Sequence, residues 1–301
     1  MKYNLIAILG PTAVGKTRLA AEIAFAVNGE IISADSRQVY RKLNIGTGKD
    51  YDDYVVKGFQ IPFHLVDVVD LPEEFNLFNF YKSFFQTFAS VKNRNKEAIL
   101  CGGSGLYLSS VIQNYDLKEI ENTDLLEQEL KLKSFDELKE IYFSIVRKPH
   151  NKTDLTSKNR IIKAIIIEKS QKIIEGKIHI NSFNIGVNPG REIVRQRIKT
   201  RLEKRLKEGM IDEIVNLIDD GIEPERLIKL GLEYKFITEY LIGKYSKEEM
   251  TEKLYYAICA FAKRQITWFR KMEREGVKIF WLDKPDVKAA IEILKNYYDR
   301  K

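Results

Sequence analysis

The sequence predicts an α/β fold: a P-loop NTPase-like parallel sheet flanked by helices, with a small helical insertion domain. Three observations predict it. Short apolar runs alternate with longer mixed segments through the first hundred residues. The stretch Gly10-Pro11-Thr12-Ala13-Val14-Gly15-Lys16-Thr17 joins the first of those runs to a helical pattern. Between about residues 116 and 176 the apolar spacing turns helical, charge becomes dense and convincing strands are absent.

In chain order, residues 2–9 read as a buried strand and 17–27 as a helix with Leu19, Ile23 and Val27 on one face. Further strands are predicted at 30–34, 63–69, 97–101, 181–187 and 278–282. The catalytic core is therefore assigned to 1–115 and 181–301, and the helical insertion to 116–180. In parallel sheets ligands gather at the carboxyl ends of strands. Four motifs fall at such ends: 10–17, 35–38, Asp67 and 102–104.

Composition excludes several classes. With 44% hydrophobic and 31% charged residues the chain is an ordinary folded protein, not a disordered one. No apolar run approaches the roughly 18–20 residues that cross a bilayer, so no membrane association is expected. The first apolar run leads into Gly10-Pro11 instead of a cleavage site, which points to the cytoplasm. Cys101 and Cys259 are expected to be reduced, buried thiols, and His64, His150 and His179 lack metal-ligand spacing. The net charge of +7 is modest, but the basic residues crowd into late segments, which favours a polyanionic partner.

Gly10 and Gly15 bracket a loop whose backbone N–H groups and following helix N-terminus suit a phosphate. Lys16 would neutralise phosphate charge and Thr17 would hold a magnesium ion. An ordinary P-loop ATPase has a second apolar strand ending in Asp, whereas 97–101 runs into Gly102-Gly103-Ser104; Asp67 and Asp35 are possible substitutes. Asp35 could act as general base beside the phosphate site, and Ser36 and Gln38 could read the polar edges of a base; equally, Asp35 or Ser36 could cap a short helix. Ser104 could donate to a diphosphate oxygen, or 102–107 could be a tight turn. Residues 191–207 hold eight basic and two acidic residues, and Arg197, Arg201 and Arg205 recur every fourth position, a one-sided row suited to phosphates. Residues 263–271 mix cations with aromatics, either to stack bases or to form an amphipathic helix with Trp268 in the core. Asn159, Arg160, Ile161, Ile162 and Lys163 include another basic pair at helical spacing.

The set 10–17, Asp35-Ser36-Arg37-Gln38-Val39-Tyr40, His64-Leu65-Val66-Asp67, 102–107 and Ala262-Lys263-Arg264-Gln265-Ile266-Thr267-Trp268 resembles the tRNA dimethylallyltransferase family, in the family's order. The resemblance implies transfer of a dimethylallyl group from dimethylallyl diphosphate to the exocyclic amine of the adenine 3′-adjacent to the anticodon of tRNA. It implies that the P-loop, Gly10 to Thr17, grips a leaving diphosphate with Mg2+. It implies that Asp35 acts on the amine, and that Ser104 and an arginine, best placed at Arg201 with Arg197 in reserve, contact the diphosphate. tRNA contacts map onto Asp35, Ser36, Arg37 and Gln38 and onto Asn159, Arg160, Ile161, Ile162 and Lys163, with Lys263, Arg264 and Trp268 supporting the base. A cytoplasmic monomer is expected.

There are departures. Ser104 stands where Thr is commoner, and Lys163 where Arg is usual. The loop 147–157 is shorter than the family's, and Gly231-Leu232-Glu233-Tyr234-Lys235 only partly matches the usual Ile-Gly-Tyr-Lys. Three rival readings remain: a P-loop small-molecule kinase, an adenylate prenyltransferase using free nucleotide, and a non-catalytic RNA-binding protein with a relic P-loop.

Overall fold

Residues 5–9 are all apolar, so no side of that strand can face water; they form β1 (Leu5–Leu9), and every residue in it is buried in this computed structural model. The structure describes residues 3–119, 124–146, 155–169, 172–173 and 178–297. These fall into two compact units, Met1–Asn114 with His179–Lys301, and Tyr115–Ile178.

In the larger unit β1 is followed by α1 (Lys16–Val27) and β2 (Gly29–Ala34). Then come a short hairpin, β3 (Val55–Val56) with β4 (Phe59–Gln60), and β5 (Phe63–His64). Next are α2 (Leu77–Asn93), β6 (Glu97–Gly102) and α3 (Gly105–Ile112). The smaller unit holds β7 (Lys118–Glu119), α4 (Asp124–Leu132), α5 (Phe135–Ile145), α6 (Lys158–Lys169) and β8 (Lys172–Ile173). The chain returns to the larger unit as β9 (Ser182–Val187), α7 (Arg191–Lys207), α8 (Met210–Asp219), α9 (Pro224–Leu230) and α10 (Leu232–Leu241). It ends with α11 (Lys247–Arg274), β10 (Ile279–Leu282) and α12 (Val287–Tyr297).

The main sheet has six strands in the order β10-β9-β1-β6-β2-β5, all paired in parallel. Alternation along β1 sends Ile6 and Ile8 into one apolar cluster and Leu5, Ala7 and Leu9 into another, so both faces of the sheet are covered. Helices α1, α7, α8 and α10 pack the first face; α2 and α3 pack the second, through Phe80, Phe84, Phe88 and Leu108. Helix α11 serves both: Met250, Leu254 and Ile258 join the first cluster, Phe269 and Met272 the second. The segment of α11 between them, around Gln265, therefore spans from one layer to the other.

The expected third strand, 63–69, is cut to two residues because Leu65 (φ 61°) and Asp67 (φ 56°) take left-handed backbone conformations that no ladder accepts. In the smaller unit a two-stranded antiparallel pair, β7 with β8, accompanies the three helices where no strand was expected. That unit has its own core of Leu130, Leu138, Tyr142, Ile161, Ile162 and Ile165. Ser134 and Glu137 close a reciprocal capping box that starts α5. Most of the shortened loop 147–157, namely 147–154, lies outside the described residues. No helix among the described residues is long and apolar enough to cross a membrane.

Candidate active site

The glycine-rich loop leaves β1 and enters α1 with Gly15 at φ 84° as the N-cap residue, a left-handed position that a side chain would strain. Thr12, Ala13, Val14, Gly15, Lys16 and Thr17 line one end of a cavity of about 660 Å³ at the carboxyl edge of the sheet. That size suits a ligand-binding cleft. Lys16 Nζ donates to Pro11 O at 2.5 Å. Burial brings the Lys16 pKa down to about 8, with Cys101 and Asp35 opposing the shift and Arg201 reinforcing it. The cradle is thus built to bind negative charge and restore the ammonium.

The arginine row of α7 runs past the loop. Arg201 Nη2 donates to Thr12 Oγ1 at 2.5 Å, and Arg197 Nη1 reaches Val14 O at 3.4 Å. Both line the cavity. Burial, followed by the neighbouring Arg205 charge, lowers the Arg201 pKa to about 10. Of the two, only Arg201 meets a side chain of the loop, the Thr12 hydroxyl.

Asp35 lines the same cavity from the end of β2. Its Oδ1 accepts the backbone N–H groups of Arg37 at 2.9 Å and Gln38 at 3.2 Å. Asp35 therefore caps a turn and not the short helix that the capping alternative supposed, and Oδ2 is the oxygen unused by that turn. Ser36 N donates to Ser104 Oγ at 3.1 Å, which ties the ends of β2 and β6 together. Gln38 Nε2 donates to Gly48 O at 3.0 Å and so fixes the wall of the cavity opposite the loop. Arg37 lines a second, adjoining cavity of about 390 Å³ together with Ser104, Arg201 and Arg264.

The glycines at the end of β6 and in the turn after it answer to protein neighbours. A Cβ on Gly102 would run into Ala34 O, on Gly103 into the Gln265 amide, and on Gly105 into the Trp268 ring. Trp268 is half-buried and its Nε1 donates to Ser109 Oγ at 2.6 Å, so the amphipathic-helix alternative accounts for it and its indole is not a free stacking platform. Lys263 and Arg264 are both exposed and face different hollows: Arg264 the second cavity, Lys263 a groove beside α7. Asn159, Arg160 and Lys163 are exposed on α6, whereas Ile161 is 0% and Ile162 4% exposed in the small unit's core. The two isoleucine side chains are corrected from RNA contacts to packing residues.

Two further expectations are corrected. Asp67 does not line the cavity: its carboxylate accepts from Lys49 Nζ and, at 2.5 Å, from Tyr51 OH. It cannot replace the missing strand-end acid. Cys259 is half-buried, unlike Cys101, and both are free thiols.

Sequence reasoning missed Gln265 and Glu213. Gln265 Oε1 accepts the Thr12 N–H at 2.8 Å while its Nε2 donates to Gly103 O at 2.8 Å. Glu213 on α8 accepts the N–H groups of Asn44 (3.0 Å), Ile45 (2.6 Å) and Gly46 (3.2 Å), and the Tyr234 hydroxyl at 2.7 Å. That carboxylate anchors the loop 44–48, which walls both cavities. Gln265 lies inside a quoted motif, but nothing local in the sequence marks Glu213.

No cluster of three or more His, Cys, Asp or Glu suited to a metal exists among the described residues. Thr17, Asp50 and Asp53 line the cavity and offer hard oxygen donors, the kind magnesium takes alongside substrate phosphate and water.

A parallel sheet with a phosphate cradle at one strand end, an arginine fork over it and a carboxylate at the end of the next strand but one defines a P-loop group-transfer protein. The model of the IPP transferase family matches residues 38–272. Among similar proteins, tRNA dimethylallyltransferase 1 of Azobacteroides pseudotrichonymphae is 48% identical over 99% of this chain and 98% of its own. The tRNA dimethylallyltransferase 2 of Phocaeicola vulgatus is 49% identical over 94% and 93%. The crystal structure of the full-length tRNA isopentenylpyrophosphate transferase from Bacillus halodurans superimposes with a TM-score of 0.70 at 30% identity, covering 98% of this chain and 95% of that one. This chain belongs to the IPP transferase family.

Proposed function

We propose that the protein transfers a dimethylallyl group from dimethylallyl diphosphate to the exocyclic amine of an adenine, the one 3′-adjacent to the anticodon in tRNA. The observation that carries the reading is that Asp35, Arg201 and the phosphate cradle line one cavity. An amine and a prenyl diphosphate held there would meet at the prenyl C1.

On this reading the amine nitrogen attacks C1, the C1–O bond to the diphosphate breaks, and the amine proton passes to Asp35 Oδ2. Lys16, Arg201 and the N–H groups of the loop stabilise the departing diphosphate. Mg2+, held by Thr17 and the diphosphate oxygens, would neutralise further charge. Ser104, hydrogen-bonded to Ser36 N, stands where it can donate to a diphosphate oxygen. The acceptor base leaves its stack to enter the cleft. Ser36, Arg37, Gln38 and Arg264 support it from the core, and Lys263 holds backbone outside the cleft. In this scheme the small unit contacts tRNA through Asn159, Arg160 and Lys163. On this reading the protein acts as a monomer, and tRNA as substrate supports the cytoplasm.

The kinase alternative loses Asp67, which is bound by Lys49 and Tyr51, but keeps Asp35 in the cavity, so the assay has to separate the two. The test mixes the protein with labelled dimethylallyl diphosphate, magnesium and either unmodified tRNA or free AMP. Label in tRNA supports the proposal. Label in AMP alone, or ATP turnover with no label transferred, overturns it.

A further inference from the structure

The second cavity, of about 390 Å³, shares Thr12, Asp35 and Arg201 with the main cleft and contains groups that the proposed chemistry does not use. Arg205, one turn beyond Arg201 on α7, lines it while only 6% exposed. Its Nη2 is buried and makes no hydrogen bond; Asp50 Oδ2 lies 3.6 Å away, beyond good hydrogen-bond range. The guanidinium packs against the backbone of Gly48, where any Cβ would collide with it. Glu233, 9% exposed in the first turn of α10, lines the same cavity with Tyr234 and Leu232. Burial raises its pKa, against the pull of Arg201 and Arg205.

The Arg205 guanidinium, ion-paired with Asp50 at 3.6 Å, keeps donor capacity that a ligand in this cavity could use. Arg205 can donate two parallel hydrogen bonds, and the Glu233 carboxyl can accept or donate one. A phosphate fits this pair poorly. It would sit about one helical turn, roughly 6 Å, from a diphosphate held at Arg201, like charge against like charge, and it would also face a carboxyl. A nucleobase edge is neutral and presents an acceptor beside a donor: ring nitrogen beside exocyclic amine. Enzymes that draw a base from its stack commonly read it through such an edge.

We propose that Arg205 and Glu233 form a donor–acceptor clamp on the ring-nitrogen edge of the acceptor adenine, which makes them specificity-determining residues. This rests on the functional reading above. Arg205 donates to N1 or N7 of the base, and Glu233 pairs with the amine hydrogen that Asp35 does not take. The pair orients the amine toward the donor and rejects bases lacking that pattern.

The test uses stem-loop RNAs carrying adenine, 1-deazaadenine or 7-deazaadenine at the reacting position, with wild-type protein and Arg205→Met, Arg205→Lys and Glu233→Gln. For the wild type, kcat/KM is expected to fall about tenfold or more with one of the two analogues. In Arg205→Met that analogue should cost less than about threefold, because the contact it deletes is already gone. Arg205→Lys and Glu233→Gln, which keep bulk and polarity, carry the test if Arg205→Met does not fold, and each should shrink the same discrimination ratio. Equal ratios in wild type and variants, within twofold, overturn the clamp even if all rates fall together. So does weakened binding of an unreactive prenyl diphosphate analogue with base discrimination intact, which would put the pair on the donor side. Failure of the wild type to prenylate the adenine RNA overturns the functional reading, and the clamp with it.

Discussion

Gln265 accepts the Thr12 N–H and donates to Gly103 O, so one side-chain amide from α11 joins the phosphate loop to the turn after β6. Thr12 and Gln265 are 253 positions apart. The amide is largely buried, so replacing it by Ala leaves a backbone N–H and a carbonyl unpaired. Gln265→Ala is expected to destabilise the protein by about 1–3 kcal/mol and to weaken prenyl diphosphate binding about tenfold by loosening the loop. Denaturant unfolding and calorimetric titration of an unreactive analogue check the two parts. A variant that binds the analogue as the wild type does would show that the loop holds its shape without the amide.

Asp35→Asn separates the two jobs of that side chain. The amide oxygen can still accept the Arg37 and Gln38 N–H groups, so folding and diphosphate affinity should be nearly unchanged. The proton acceptor is lost, and kcat is expected to drop about 10²–10⁴-fold. Single-turnover prenyl transfer measures it; transfer at the wild-type rate would remove Asp35 from the chemistry.

Lys16 makes donor affinity depend on pH. With its pKa near 8 in the free cleft, the ammonium population falls as pH rises past 8, while a bound diphosphate favours the charged form. The dissociation constant for a prenyl diphosphate analogue should therefore rise with pH between 8 and 9.5, approaching about tenfold per unit, with a proton taken up on binding. Arg201, at about 10, stays charged over most of that range. Lys16→Met should bind weakly at pH 7 and show a flat profile. A wild-type affinity independent of pH would contradict this assignment.

The two faces of α6 should respond differently. Charge reversal of Arg160 and Lys163 together is expected to weaken tRNA binding severalfold while leaving donor binding alone, measured by filter binding and calorimetry. Ile161→Ala, in the small unit's core, should instead cost about 2–5 kcal/mol of that unit's stability. Unchanged tRNA affinity after the double reversal would take α6 out of the RNA contact.

The main sheet was largely legible because its strands are apolar runs that alternate with amphipathic helices, and the phosphate loop because its spacing is local. What could not be read depends on approach through space. The strand expected over 63–69 stops at His64 because Leu65 and Asp67 take left-handed conformations, with Asp67 bound by Lys49 and Tyr51 from a loop before it. Ile161 and Ile162 were grouped with their basic neighbours because adjacency in sequence hides that a helix turns them to the opposite face. The arginine row marks Arg197, Arg201 and Arg205 alike and only the family resemblance singles out Arg201; its contact with Thr12 exists only once α7 packs over the loop. Glu213 serves three amides of 44–46 from a helix that looks like an ordinary acidic surface.

Gly105 and Trp268 press together so closely that no side chain fits at position 105 without displacing the indole. Two motifs that look independent on paper are thus one mechanical joint. Substitution at either position should be epistatic with the other: Gly105→Ala harmful beside tryptophan, yet tolerated beside a smaller residue at 268. Drift in this protein is therefore constrained in pairs, and a relative that has lost the tryptophan is free to lose the glycine as well.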